Sequence, residues 1–76
     1  MRHYERGAKT RSLILAFIRI YIEDHGYAPS NKEISDAIQV SPTSVWQHMN
    51  ILLAQGDLET DLPDRWHTSR AYRLRR

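Results

Sequence analysis

Cysteine is absent from the chain. That excludes a disulfide framework and any thiolate metal site, and it fits a reducing compartment. Glycine and proline are scarce, with three of each, so neither a collagen-like nor a Pro/Gly-rich linker architecture is available. No apolar run reaches the roughly 18 residues of a membrane-spanning helix. The opening MRHYERGAKTR lacks the apolar middle of a secretory signal, so a cytoplasmic protein without membrane contact is expected. The histidines His3, His25, His48 and His67 are scattered, and no pair has the close helical spacing of metal ligands. There is no glycine-rich phosphate loop and no nucleophile–base arrangement. No enzyme activity, metal or cofactor is expected.

What is present is an ordinary globular composition in 76 residues, 41% hydrophobic and 26% charged. This is enough for one domain with a small core. The net charge of +2 is unevenly placed. Residues 1–12 carry Arg2, Arg6, Lys9 and Arg11 against Glu5. Residues 65–76 carry Arg65, Arg70, Arg73, Arg75 and Arg76 with no acid. The stretch between holds Arg19 and Lys32 against eight acids. Basic ends around an acidic middle suit contact with a polyanion, and equally suit a small protein that stays soluble.

Hydrophobic periodicity and capping signals place the elements. Residues 1–9 read as a weakly ordered basic arm and 10–75 as the folded domain. A first helix is predicted from Thr10 to Asp24, with Leu13, Ile14, Phe17, Ile20 and Tyr21 as its core stripe and His25-Gly26 as its stop. Pro29 keeps Ala28 extended. Ser30 and Glu33 have the spacing of a capping box and open a short helix whose apolar face is Ile34, Ala37 and Ile38. Gln39-Val40 makes the turn. Ser41-Pro42 opens the next helix, where a capping serine precedes a proline whose missing N–H costs nothing. Val45, Met49 and Leu52 face its core, and Gly56 ends it. Asp57–Thr60 and Ala71–Leu74 alternate like strands, separated by the polar loop Asp61–Arg70. The order is mainly α with a small β-hairpin: a winged helix-turn-helix, three helices followed by a two-stranded wing.

That architecture holds one helix out from a small core, a shape that fits the DNA major groove. The helix over 42–55 turns Thr43, Ser44, Trp46, Gln47 and Asn50 outward, and none is charged. Gln and Asn pair bidentately with adenine, and Thr and Ser bond several bases or touch a thymine methyl. The absence of arginine there points away from guanine reading. Trp46 also suits a ring folded over apolar surface. Ser30 and Ser41 open helices whose free N–H groups and dipoles favour phosphate, with Lys32 beside the first. Arg11, Arg65 and Arg70 supply cations for the DNA backbone. Trp66 reads as an apolar anchor at the base of the wing, and Asp61 and Asp64 oppose wing contact with DNA.

The first helix is apolar around most of its circumference. Leu15, Ile18 and Ile22 form a second stripe beside the first, more than a three-helix core needs. Either the long loop folds over them or they form a homodimer seam. Two functions follow. One is sequence-preferring binding of double-stranded DNA, as in a transcriptional regulator. The other is a winged-helix module for protein–protein interaction or assembly, suggested by Trp46, Trp66 and the apolar excess.

The run GYAPSNKEISDAIQVSPTSVWQHMNILLAQGDLE, followed by SRAYRL, resembles the DNA-binding domain of the LexA repressor family. The matching pieces are Gly26, Pro29-Ser30, Glu33-Ile34, Ser41-Pro42, His48, Gly56 and Ser69-Arg70, and together they span roughly residues 12–74. The resemblance implies operator binding, with the third helix in the major groove. Thr43, Ser44, Trp46 and Gln47 would then stand on the base-reading side, and Ser41 and the start of the second helix would face phosphate. Three features depart from the pattern: Gln39 stands where glycine is common, Trp46 and Gln47 stand where acidic readers occur, and the wing is longer and acidic. LexA-type repressors also carry a self-cleaving serine peptidase domain. No such activity is expected of a chain that stops after the wing.

Overall fold

The computed structural model describes residues 2–75, and the side chains of residues 2–6 and of Ser69 fall outside the description. The charges expected from Arg2, Arg6 and Arg76 therefore lie outside the described side chains. Six elements follow one another: α1 (Arg2–His25), α2 (Asn31–Ile38), α3 (Pro42–Gln55), β1 (Leu58–Glu59), α4 (Trp66–Ser69) and β2 (Arg73–Leu74). The strands pair antiparallel, Leu58 with Leu74 and Glu59 with Arg73. This is a winged helix.

α1 begins at Arg2 rather than Thr10. No proline interrupts residues 2–9, and all but Gly7 tolerate helix. Its buried face also differs from the one the periodicity selects. Ile14 and Ile18 are fully buried, whereas Leu13 and Ile20 are 58% and 54% exposed. A helix that is apolar nearly all round does not reveal its rotation. Neighbours decide it, here α2, α3 and the hairpin packed on one side. Ile18 therefore belongs to the core and is unavailable to a dimer seam. Leu15 and Ile22 are half-buried against the same core, and Leu15 lines a groove with Leu74 of β2.

The caps form as the sequence predicts. Ser30 Oγ accepts from the Glu33 N–H at 3.1 Å while Glu33 Oε1 accepts from the Ser30 N–H at 2.8 Å. Ser41 caps α3 with Pro42 in its first turn. Gly26 and Gly56 take positive φ, as helix stops require. Gln39 also adopts the left-handed conformation, at φ 59°. A two-residue turn between α2 and α3 demands it there, and glycine, which lacks a Cβ, would relieve it most fully. Val40 is half-buried in that turn, and its carbonyl accepts from the buried Ser35 hydroxyl at 2.5 Å.

Ala28, Ile34, Val45, Met49, Leu52, Leu58, Trp66 and Tyr72 complete the core around Ile14 and Ile18. Ala37 is exposed rather than apolar-face core. The strands are shorter than predicted, and the loop between them contains a single helical turn, α4, that buries Trp66. The ring meets Tyr72 edge-on at 5.8 Å. Trp66 is thus the wing anchor its composition suggests.

Candidate nucleic-acid interface

α3 packs through Val45, Met49 and Leu52, all essentially solvent-free. The residues half a turn away therefore point out of the domain. Thr43, Gln47, Asn50 and Ala54 follow one another at spacings of four, three and four and form one ridge. Thr43 and Gln47 are exposed and Asn50 is half-buried, at the rim of a cleft of about 540 Å³ between α3 and the wing that Leu53, Leu58, Pro63 and Trp66 also line. Trp46 stands on the same flank with 46% of its surface exposed. Ser44 lies on the opposite flank, half-buried. Its hydroxyl accepts from Ser41 Oγ at 3.1 Å, and its N–H bonds the same oxygen at 3.2 Å. Ser41 is exposed at the helix start. No residue of α3 carries a formal charge except through titration of His48.

His48 closes the back of this helix. Its Nδ1 accepts from Arg11 Nη1 at 3.3 Å, tying α3 to α1. Burial first, and the positive Arg11 second, hold its pKa below the ordinary histidine value. The neutral ring with its proton on Nε2 satisfies that geometry. Arg11 is thus half-buried beside α3 rather than out in an arm.

The start of α2 departs most from expectation. Ser30 is occupied on both sides by its capping box, and Glu33 already supplies the negative charge that this helix end favours. Arg70 joins the same carboxylate. Its Nη1 donates to Glu33 Oε1 at 2.7 Å and to the Ala28 carbonyl at 3.1 Å, and its guanidinium lies 5.3 Å from the centre of the Tyr27 ring. Arg70 is therefore a clip between wing and helix-turn-helix, not a cation held out for phosphate. Hydrogen bonds from Arg70 and then from the Ser30 backbone hold Glu33 well below the usual carboxylate range, at about 2. Tyr27 in turn abuts Tyr21 and His25, whose rings stack at 3.9 Å. Beside them the Tyr72 hydroxyl donates to the buried Pro29 carbonyl at 2.6 Å, and burial pushes its pKa up.

The remaining expected phosphate groups are at the surface. Lys32 is paired with Asp36 one turn on, at 3.2 Å and with both side chains mostly exposed, a weak and readily exchanged contact. Arg65 is exposed at the start of α4. The acids of the wing are partly compensated from across the hairpin, where Arg73 meets Glu59 and Asp61 at 3.3 Å. Sequence reasoning missed the Glu33–Arg70 clip, the Arg11–His48 bond and the Arg73 pairs. Glu33 and Arg70 are 37 positions apart, and nothing in a single sequence marks such a pair. Among the described residues no cluster of His, Cys, Asp and Glu could hold a metal ion, and no helix is long and apolar enough to cross a membrane.

A helix that packs one face on two others and exposes the opposite face, with a short antiparallel hairpin beside it, defines a winged-helix module of the nucleic-acid-binding kind. More narrowly, the chain belongs to the LexA DNA-binding domain family, whose model matches residues 8–71. It is similar to the LexA repressor of Limosilactobacillus reuteri, 41% identical over 56 residues, which cover 71% of this chain and 27% of that protein. The LexA repressor of Pseudothermotoga lettingae is 40% identical over 45 residues, 59% of this chain and 22% of its own length. That of Roseiflexus is 34% identical over 62 residues, 80% and 28% respectively. The chain thus spans about a quarter of the length of the curated relatives it matches.

Proposed function

We propose that this domain binds double-stranded DNA with sequence preference, lays α3 in the major groove and serves a transcriptional regulator. The observation that carries the reading is the uncharged ridge of Thr43, Gln47 and Asn50, turned away from the face that α3 packs on α1, α2 and β1. Hydrogen-bonding amides discriminate base edges, whereas a charged ridge would mainly grip phosphate. Gln47 is the central reader and Asn50 its neighbour on the wing side. Thr43 reads at the helix start, with Ser44 and Trp46 on the two flanks. Phosphate contact falls to the Ser41 end of α3, Lys32 and Arg65, since Arg11 is engaged with His48. Membership of a DNA-binding family favours this reading over a protein-interaction module.

Two such cations at phosphates give a slope of log affinity against log salt near −2, at about 0.9 per neutralised phosphate. Selection from random duplexes at two salt concentrations tests the proposal. An enriched A/T-containing motif at both concentrations is expected. Binding that stays sequence-blind at the higher concentration would overturn it.

A further inference from the structure

Folding leaves one apolar surface of α1 uncovered. Leu13 and Ile20 are the most exposed large hydrophobic side chains described, at 58% and 54%. They are seven residues apart, so they lie two turns apart on one side of the helix. Extending that spacing in both directions gives Lys9, Leu13, Ala16, Ile20 and Glu23, at intervals of four, three, four and three. These intervals are the alternating four-and-three spacing of a helix-pair seam. All are exposed except Ala16, which is half-buried between its larger neighbours. Asp24, also exposed, adjoins Glu23.

The charges at the two ends of this seam select its occupant. The N-terminal end is basic through Lys9, and the C-terminal end is acidic through Glu23 and Asp24. A second copy running antiparallel sets Leu13 against the partner's Ile20. The same alignment sets Lys9 against the partner's Glu23 and Asp24. Twofold symmetry repeats every contact. A parallel copy would place lysine on lysine and acid on acid. Ala16 at the centre allows close approach of the two axes. We propose that the outer face of α1 is a self-association surface, on which two copies pair antiparallel through Leu13, Ala16 and Ile20, with Lys9 facing the partner's acids. The seam lies elsewhere on α1 than the Leu15, Ile18 and Ile22 stripe first expected. It uses no residue of α3 or the wing, so it stands independently of DNA reading.

Residues 9–24 span only about 24 Å of helix, and a contact of that size is below the standard interface size and supports only a weak dimer. Sedimentation of the purified chain without DNA, up to about 1 mM, is the test. Concentration-dependent dimer formation is expected. Ile20→Asp should weaken it by at least about 100-fold with the helical circular dichroism unchanged. Lys9→Asp and Asp24→Lys should each weaken it several-fold, and the double variant should dimerise more tightly than either single one. A parent chain that stays monomeric throughout would overturn the proposal. So would a double variant no tighter than the single ones.

Discussion

The clip between Glu33 and Arg70 gives the stability of the domain a defined pH signature. Glu33 does two jobs: it closes the capping box of α2 and it accepts the Arg70 guanidinium. Glu33→Gln separates them, because glutamine at this position of a capping box still bonds the cap N–H but leaves no ion pair. The carboxylate sits at about 2 in the folded protein against an ordinary 4.5. A depressed folded pKa means that the folded state binds fewer protons than the unfolded chain near pH 4. The stabilisation is therefore complete above about pH 5 and disappears as pH falls through 2. Both side chains are more than a third exposed, so solvent screening reduces its size to about 1 kcal/mol. For a domain of this length that is a fall in Tm of about 4–8 °C at pH 7. Urea melts of the parent and Glu33→Gln at pH 7, 4 and 2.5 measure it. The two midpoints should differ most at pH 7 and lie closest at pH 2.5, where only about a quarter of the difference remains. A constant offset across that range would refute the electrostatic origin and leave only a packing or capping difference.

Other consequences can be measured on the same instruments. Gln39→Gly relieves a left-handed residue in the turn between α2 and α3 and should raise stability by about 0.5–1 kcal/mol; a lower denaturation midpoint would contradict the strain argument. Tyr72→Phe leaves the buried Pro29 carbonyl without its donor and should cost about 1–2 kcal/mol, read as a shift in urea midpoint without change of slope. Trp66→Ala empties the base of the wing and should cost about 3 kcal/mol or more, whereas truncating half-exposed Trp46 should cost under about 1 kcal/mol.

Much of this fold is legible where a local rule suffices. The Ser30–Glu33 box, the Ser41-Pro42 start and the glycine stops at Gly26 and Gly56 depend only on neighbours in the chain, and each appears where its residues stand. Val45, Met49 and Leu52 were legible because α3 has a polar side. α1 has almost none, so its rotation depends on what packs against it. That dependence exchanged Ile18 for Leu13 and Ile20 between core and surface. The wing was legible as a pair of strands but not as the turn α4, since four residues carry no periodicity. At the candidate site, the outward positions of Thr43 and Gln47 followed from the helix period alone. The fate of the cations did not: Arg70 turned inward to Glu33 and Arg11 toward His48, through partners distant in sequence.

The central claim is that the ridge on α3 reads base edges, and Gln47→Ala tests it most directly. Its affinity should be measured on a selected duplex and on a scrambled one at the same salt concentration. A loss of about 1–3 kcal/mol on the selected site, with scrambled binding and salt slope unchanged, is the predicted result. Equal losses on both duplexes, or none on either, would contradict the claim.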